Sequence, residues 1–169
     1  MRRMNQPKIL VFDTPQAVAR AAAVKLLELG REAIQQRGVF RVALAGGSTP
    51  KLMYGELAQQ PEALDWSRVE VFFGDERTVP PDHPDSNYRL AFEHLLQHVP
   101  IPPDRVHRIP AERSDAHAAA AEYGTTLRRL FGARHPWPQF DLVLLGMGPD
   151  GHTASLFPGT SALTENTRW

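Results

Sequence analysis

Three short apolar runs, at residues 40–44, 68–73 and 140–145, each climb into a polar turn that contains glycine. They read F-R-V-A-L, R-V-E-V-F-F and F-D-L-V-L-L. The turns that follow are Gly46-Gly47-Ser48-Thr49, Gly74-Asp75-Glu76-Arg77 and a stretch from Gly146 to His152. Segments with helical spacing lie between the runs. Strands alternating with helices of this length imply βαβ units and a mostly parallel sheet. Parallel strands place all three turns on one edge, and ligands of open α/β sheets sit outside the carboxyl ends of the strands. The expected architecture is one α/β domain over 1–169, a Rossmann-like open sheet with helices on both faces.

The remaining elements follow from local signals. Residues 8–12 (K-I-L-V-F) read as a first strand. Thr14 as N-cap and Pro15 at the first helical position start a helix over about 16–36. Its apolar positions Val18, Ala22, Leu26, Leu29 and Ala33 recur at helical spacing. A short helix is expected over about 51–60, with Pro50 in its first turn. Ser86 can cap another over about 87–98. Residues 106–109 are a candidate short strand that Pro110 stops. Ser114 or Asp115 can cap a helix running to about Phe131, and nothing clear is expected over 161–169.

Composition narrows the class. A chain of 169 residues, 42% hydrophobic and 22% charged, can bury a sizeable core as a soluble domain. Lys plus Arg and Asp plus Glu are both 19, so no nucleic-acid partner is expected. There is no cysteine, which removes disulfides and thiolate chemistry. Residues 1–4 are basic, but no apolar core follows before Pro7, and no run is long enough to span a bilayer. The expected location is the cytoplasm. No histidine pair combines metal-ligand spacing with carboxylates on one helix face, so no metal is expected.

Each turn carries its own chemistry and its own plainer alternative. Gly46-Gly47-Ser48-Thr49 opens a helix, so backbone N–H groups and two hydroxyls can cradle a phosphate. A turn merely capped by Ser48 or Thr49 is the alternative, and the Walker A spacing is absent. In Asp75-Glu76-Arg77, the arginine can clamp a phosphate or stabilise an oxyanion, or the three can anchor the loop. Ser86 and Asn87 lie just beyond. Asp150 and His152 arrive where a buried strand would end, and a histidine there can move protons near neutral pH. Gly146, Gly148 and Gly151 also fit G-x-G-x-x-G. A dinucleotide fingerprint belongs on the first βα turn, with an acid about 20 residues later. Here the motif comes late and only Glu165 follows, so dinucleotide binding is set aside.

With these residues in view, the chain resembles the bacterial-type 6-phosphogluconolactonases. The matching segments run from Leu44 to Pro50, from Phe73 to Arg77 with Ser86-Asn87-Tyr88, and from Gly146 to Pro158. The resemblance implies hydrolysis of 6-phospho-D-glucono-1,5-lactone to 6-phosphogluconate, in the oxidative pentose phosphate pathway. It implies no metal and no organic cofactor. It implies His152 as the general base that activates water, with Asp150 positioning that turn. Gly46, Gly47, Ser48 and Thr49 would surround the phosphate or sugar hydroxyls. Arg77, with Asp75 nearby, would hold the anionic part of the substrate. Ser86 and Asn87 are counted among the substrate-binding residues, although capping is the plainer role for Ser86. The implied partner is a small sugar-phosphate lactone, and the implied state a monomer or weak oligomer.

Members of that family continue past the position of Trp169, so the domain is expected to be incomplete at its C-terminus and weakly active or inactive alone. Two other functions remain. An amino-sugar-phosphate deaminase or isomerase would need an acid soon after the D-G-H turn, where this chain has Thr-Ala-Ser-Leu-Phe-Pro. A truncated, non-catalytic sugar-phosphate-binding protein would bind without turnover.

Overall fold

A computed structural model describes residues 6–132 and 137–167. Helix α1 (Pro15–Arg37) begins where the Ala17 N–H donates to Thr14 Oγ1 at 3.1 Å, and it ends at Gly38, whose N–H donates to Ile34 O. Its buried stripe is Ala19, Ala23, Leu26, Gly30 and Ala33. That is largely one residue on from the expected stripe through Val18, Ala22 and Leu29. Gly30 explains the rotation, since a Cβ there would meet Leu64 at 3.0 Å and Phe40 at 3.2 Å. The helix therefore seats its backbone, rather than Leu29, on the core.

Strand β1 (Phe40–Leu44) pairs in parallel with β2 (Val69–Phe73), from Phe40 opposite Val69 to Leu44 opposite Phe73. Between them lies α2 (Ser48–Ala58). Helix α3 (Asn87–His94), strand β3 (Val106–His107), helix α4 (Ala116–Phe131) and strand β4 (Leu142–Val143) follow. Every pairing between these four strands is parallel and their order is β3-β2-β1-β4. Alternation along the strands feeds two layers. Phe40, Val42, Leu44, Val69, Val71 and Phe73 pack with Leu26 of α1, Met53, Tyr54 and Leu57 of α2, and Ala91 of α3. Ala43 and Phe72 face the other way, onto Leu127 of α4, with Phe131 and Phe140 at the edge. Helices thus cover both faces, as the α/β reading expects. Each of these large side chains contributes on the order of 1.5–3 kcal/mol on full burial.

Three expectations need correction. Residues 8–12 form no strand, and Ile9, Leu10 and Val11 are 82%, 60% and 89% exposed. An apolar run becomes a strand only where a neighbour completes its ladder, and among the described residues none does. The last strand is shorter than 140–145, because β4 is an edge paired only with β1, at Val42–Leu142 and Ala43–Val143. Helix α2 starts at Ser48 instead of 51, with Gly47 as N-cap and no side-chain cap. No helix among the described residues is long and apolar enough to cross a membrane.

Candidate active site

The first turn leaves β1 through Ala45. Tyr54, buried on α2, brackets that residue: the Ala45 N–H donates to its oxygen at 3.2 Å, and its O–H donates to Ala45 O at 2.6 Å. Burial outweighs the backbone bond and raises the Tyr54 pKa well above the usual phenol value, so the hydroxyl keeps its proton. Gly47 then turns with φ 106°, a conformation side chains rarely tolerate, and starts α2. Because Gly47 is the N-cap, Ser48 and Thr49 lie in the first helical turn. Their N–H groups have no intrahelical acceptor, and their hydroxyls are not consumed in capping. The plain capped-turn alternative therefore does not hold here.

The second turn leaves β2 at Gly74. Phe73 before it is bracketed as Ala45 is: its N–H donates to Tyr123 Oη at 3.0 Å and its C=O accepts from the same hydroxyl at 3.1 Å. Glu76 is the loop anchor. Oε1 accepts from the Arg77 N–H at 2.8 Å and the Asn87 N–H at 2.7 Å; Oε2 accepts from the Tyr88 N–H at 2.8 Å and Ser86 Oγ at 3.1 Å. One carboxylate thereby ties the turn to the start of α3. Ser86 Oγ also accepts from the Arg89 N–H at 3.1 Å, which makes Ser86 the helix cap. Asn87 Nδ2 donates to Asp75 O at 3.1 Å and Oδ1 at 3.2 Å.

The third turn follows β4. Gly148 N–H donates to His152 O at 2.9 Å and Gly151 N–H to Gly148 O at 3.0 Å, a tight loop that folds the ring of His152 back over Gly148. A Cβ on Gly148 would lie 2.2 Å from His152 Cε1 and 2.9 Å from Asp150 Oδ1, so only glycine fits. His152 Nδ1 lies 2.5 Å from Asp150 Oδ1, and the ring stacks on Phe157 with centroids 4.3 Å apart. The hydrogen bond from His152 holds the Asp150 carboxyl below the usual carboxylate range. A carboxylate can only accept, so Nδ1 carries the proton of this bond, and in the neutral imidazole Nε2 is the acceptor. Ala154 adopts φ 50°, unusual for a residue with a Cβ, and the turn beyond it brings Ser155 Oγ to Asp75 Oδ2 at 2.8 Å.

The parallel sheet brings these turns together around one cleft of about 260 Å³. Gly46, Gly47, Ser48, Thr49, Asp75, Arg77, Asn87 and His152 all line it. Ser86 and Asp150 do not: Ser86 is 1% exposed beneath the helix cap, and Asp150 stands behind the imidazole. Asp75 spends both side-chain oxygens on Asn87 and Ser155. Arg77 is exposed, and its guanidinium has no partner among the described residues. Sequence reasoning passed over Ser155, Tyr54 and Tyr123. The two tyrosines carry no local sign, because each acts on a residue that only the fold brings near.

Residues 13–169 match the family described as glucosamine-6-phosphate isomerases/6-phosphogluconolactonase. The chain is 45% identical over 170 residues to a probable 6-phosphogluconolactonase 3, chloroplastic, of Oryza sativa subsp. indica, covering 95% of this chain and 51% of that protein. It is 44% identical over 164 residues to a 6-phosphogluconolactonase of Synechocystis sp., covering 96% and 67%. Among solved structures, 6-phosphogluconolactonase from Trypanosoma brucei superposes with a TM-score of 0.85 at 38% identity, covering 96% of this chain and 68% of that one. The chain thus spans between about half and two thirds of the length of these relatives. Extending from residue 13 to 169, the match shows that this chain belongs to the glucosamine-6-phosphate isomerase/6-phosphogluconolactonase family.

Proposed function

We propose that this protein hydrolyses 6-phospho-D-glucono-1,5-lactone to 6-phosphogluconate, a step of the oxidative pentose phosphate pathway. One observation carries the reading: His152, held from behind by Asp150, lines the same cleft as the α2 N-terminus and Arg77. A base and an anion site on one wall match a substrate with a carbonyl at one end and a phosphate at the other. The relatives that carry this activity in their names support the same substrate.

The N–H groups and hydroxyls of Ser48 and Thr49, with the Arg77 guanidinium, hold the phosphate, where the helix dipole and a charge-assisted bond favour an anion. Phosphate capture orients the lactone carbonyl toward His152. Nε2 takes a proton from water as the water oxygen bonds to the carbonyl carbon. Asp150 stabilises the imidazolium through Nδ1–H. The tetrahedral intermediate then collapses, the carbonyl carbon–ring oxygen bond breaks, and the proton passes to the departing ring oxygen. A δ-lactone is reactive enough that no covalent nucleophile is needed. The setting we propose is the cytoplasm, with a monomer or weak oligomer as the working form.

The test is lactone hydrolysis against an enzyme-free blank, since the lactone also opens spontaneously. Lactone opening above the blank, even if slow for this chain alone, and no ammonia from glucosamine 6-phosphate are the expected outcomes. Ammonia release without lactone turnover would assign the cleft to deamination. Sugar-phosphate binding without turnover would make the protein a sensor.

A further inference from the structure

The Asn87 side chain is 4% exposed, lines the cleft, and is held from two directions. Its backbone N–H is fixed on Glu76 Oε1 at 2.7 Å. Its Nδ2 donates twice to Asp75, at 3.1 and 3.2 Å, to a carbonyl and a carboxylate oxygen. Only the NH₂ arm of a carboxamide can donate to two acceptors, so the orientation of the amide is determined by chemistry. The other arm, Oδ1, is turned onto Gly46, where a Cβ would lie only 1.8 Å from it. No donor among the described residues serves Oδ1. Oδ1 is not sealed from solvent: His107 Nε2 is the one buried, unpartnered side-chain atom among the described residues, so Oδ1 opens to the cleft, where a ligand hydroxyl can replace water on it.

We infer that Asn87 Oδ1 is a specificity-determining acceptor for a hydroxyl of the sugar, and that Glu76 is the positioning residue that aims it. This rests on the sugar-phosphate reading of the cleft. Glu76 touches no substrate. It gathers the N–H groups of Arg77, Asn87 and Tyr88 and the Ser86 hydroxyl onto one carboxylate, which fixes the α3 N-terminus relative to the β2 turn. Asp75 then sets the amide rotation, and Ser155 steadies Asp75 from the third turn. An acceptor-only contact selects a ligand that brings an O–H. Inorganic phosphate, held at the α2 N-terminus, does not need it.

The experiment is calorimetric titration of 6-phosphogluconate and, separately, of inorganic phosphate into wild type, Asn87→Ala and Glu76→Gln. Gln keeps the shape of Glu76 but turns one acceptor oxygen into a donor that faces the Tyr88 N–H. In both variants the ratio of sugar-phosphate to phosphate affinity should fall about tenfold, the scale of one lost hydrogen bond. Glu76→Asp, which keeps the charge on a shorter arm, carries the same expectation should Glu76→Gln not fold. Equal loss of both ligands would show general damage to the cleft and overturn the inference, as would an unchanged ratio. Wild type that binds phosphate without preferring the sugar phosphate would overturn it alone. Wild type that binds neither would remove the proposed function with it.

Discussion

At the scale of single residues, the proposed chemistry rests on a hydrogen bond between residues close in sequence. Asp150 and His152 are two residues apart, and Gly148 leaves the space in which the ring folds back. Asp150→Asn keeps the shape but offers an NH₂ to Nδ1. The imidazole proton then moves to Nε2, the nitrogen proposed to accept from water. The expected outcome is a fall in kcat of at least about 10²-fold with KM little changed, read from steady-state kinetics above the blank. The Asp150 carboxyl is held below its usual range by the hydrogen bond from His152, which keeps it a charged acceptor.

Elements decide whether these residues meet. The strand-to-turn pattern was legible because β1 and β2 are central, each paired on both sides, and near-continuous apolar runs mark such strands. β4 and residues 8–12 were read too generously, since an apolar run does not reveal whether a partner strand lies beside it. The caps Thr14, Ser86 and Asp115 were legible because capping is local in sequence. The Asp75–Ser155 and Tyr123–Phe73 contacts were not, because they join residues 80 and 50 positions apart. The tyrosine brackets are how the strand ends keep their backbone groups paired where the ladders stop. Tyr54→Phe leaves the Ala45 N–H and C=O without that partner in a buried place. It should cost about 1–3 kcal/mol in urea unfolding and raise KM, because Ala45 leads into the phosphate turn.

Across the whole molecule, one edge of the sheet carries the proposed site and the α4 face carries a pH-sensitive contact. His107 packs on Phe72, with ring centroids 4.8 Å apart, and its Nε2 is buried with no partner among the described residues. Burial pushes its pKa below the ordinary imidazole value, against the opposing pull of Glu70. The unfolded chain gains this proton near pH 6.5 and the folded chain only at lower pH. Stability should therefore decline as pH falls through that window, and His107→Phe should remove part of the decline in pH-dependent thermal unfolding. The functional edge makes the larger claim, that three turns from separate strands form one lactonase site with His152 as its base. The most direct measurement is lactone hydrolysis by wild type and His152→Ala side by side, corrected for the blank, with 6-phosphogluconate binding measured on both. The variant should lose at least about 10²-fold in kcat while its affinity for 6-phosphogluconate stays within a few-fold of wild type. Equal turnover by the two proteins would contradict it.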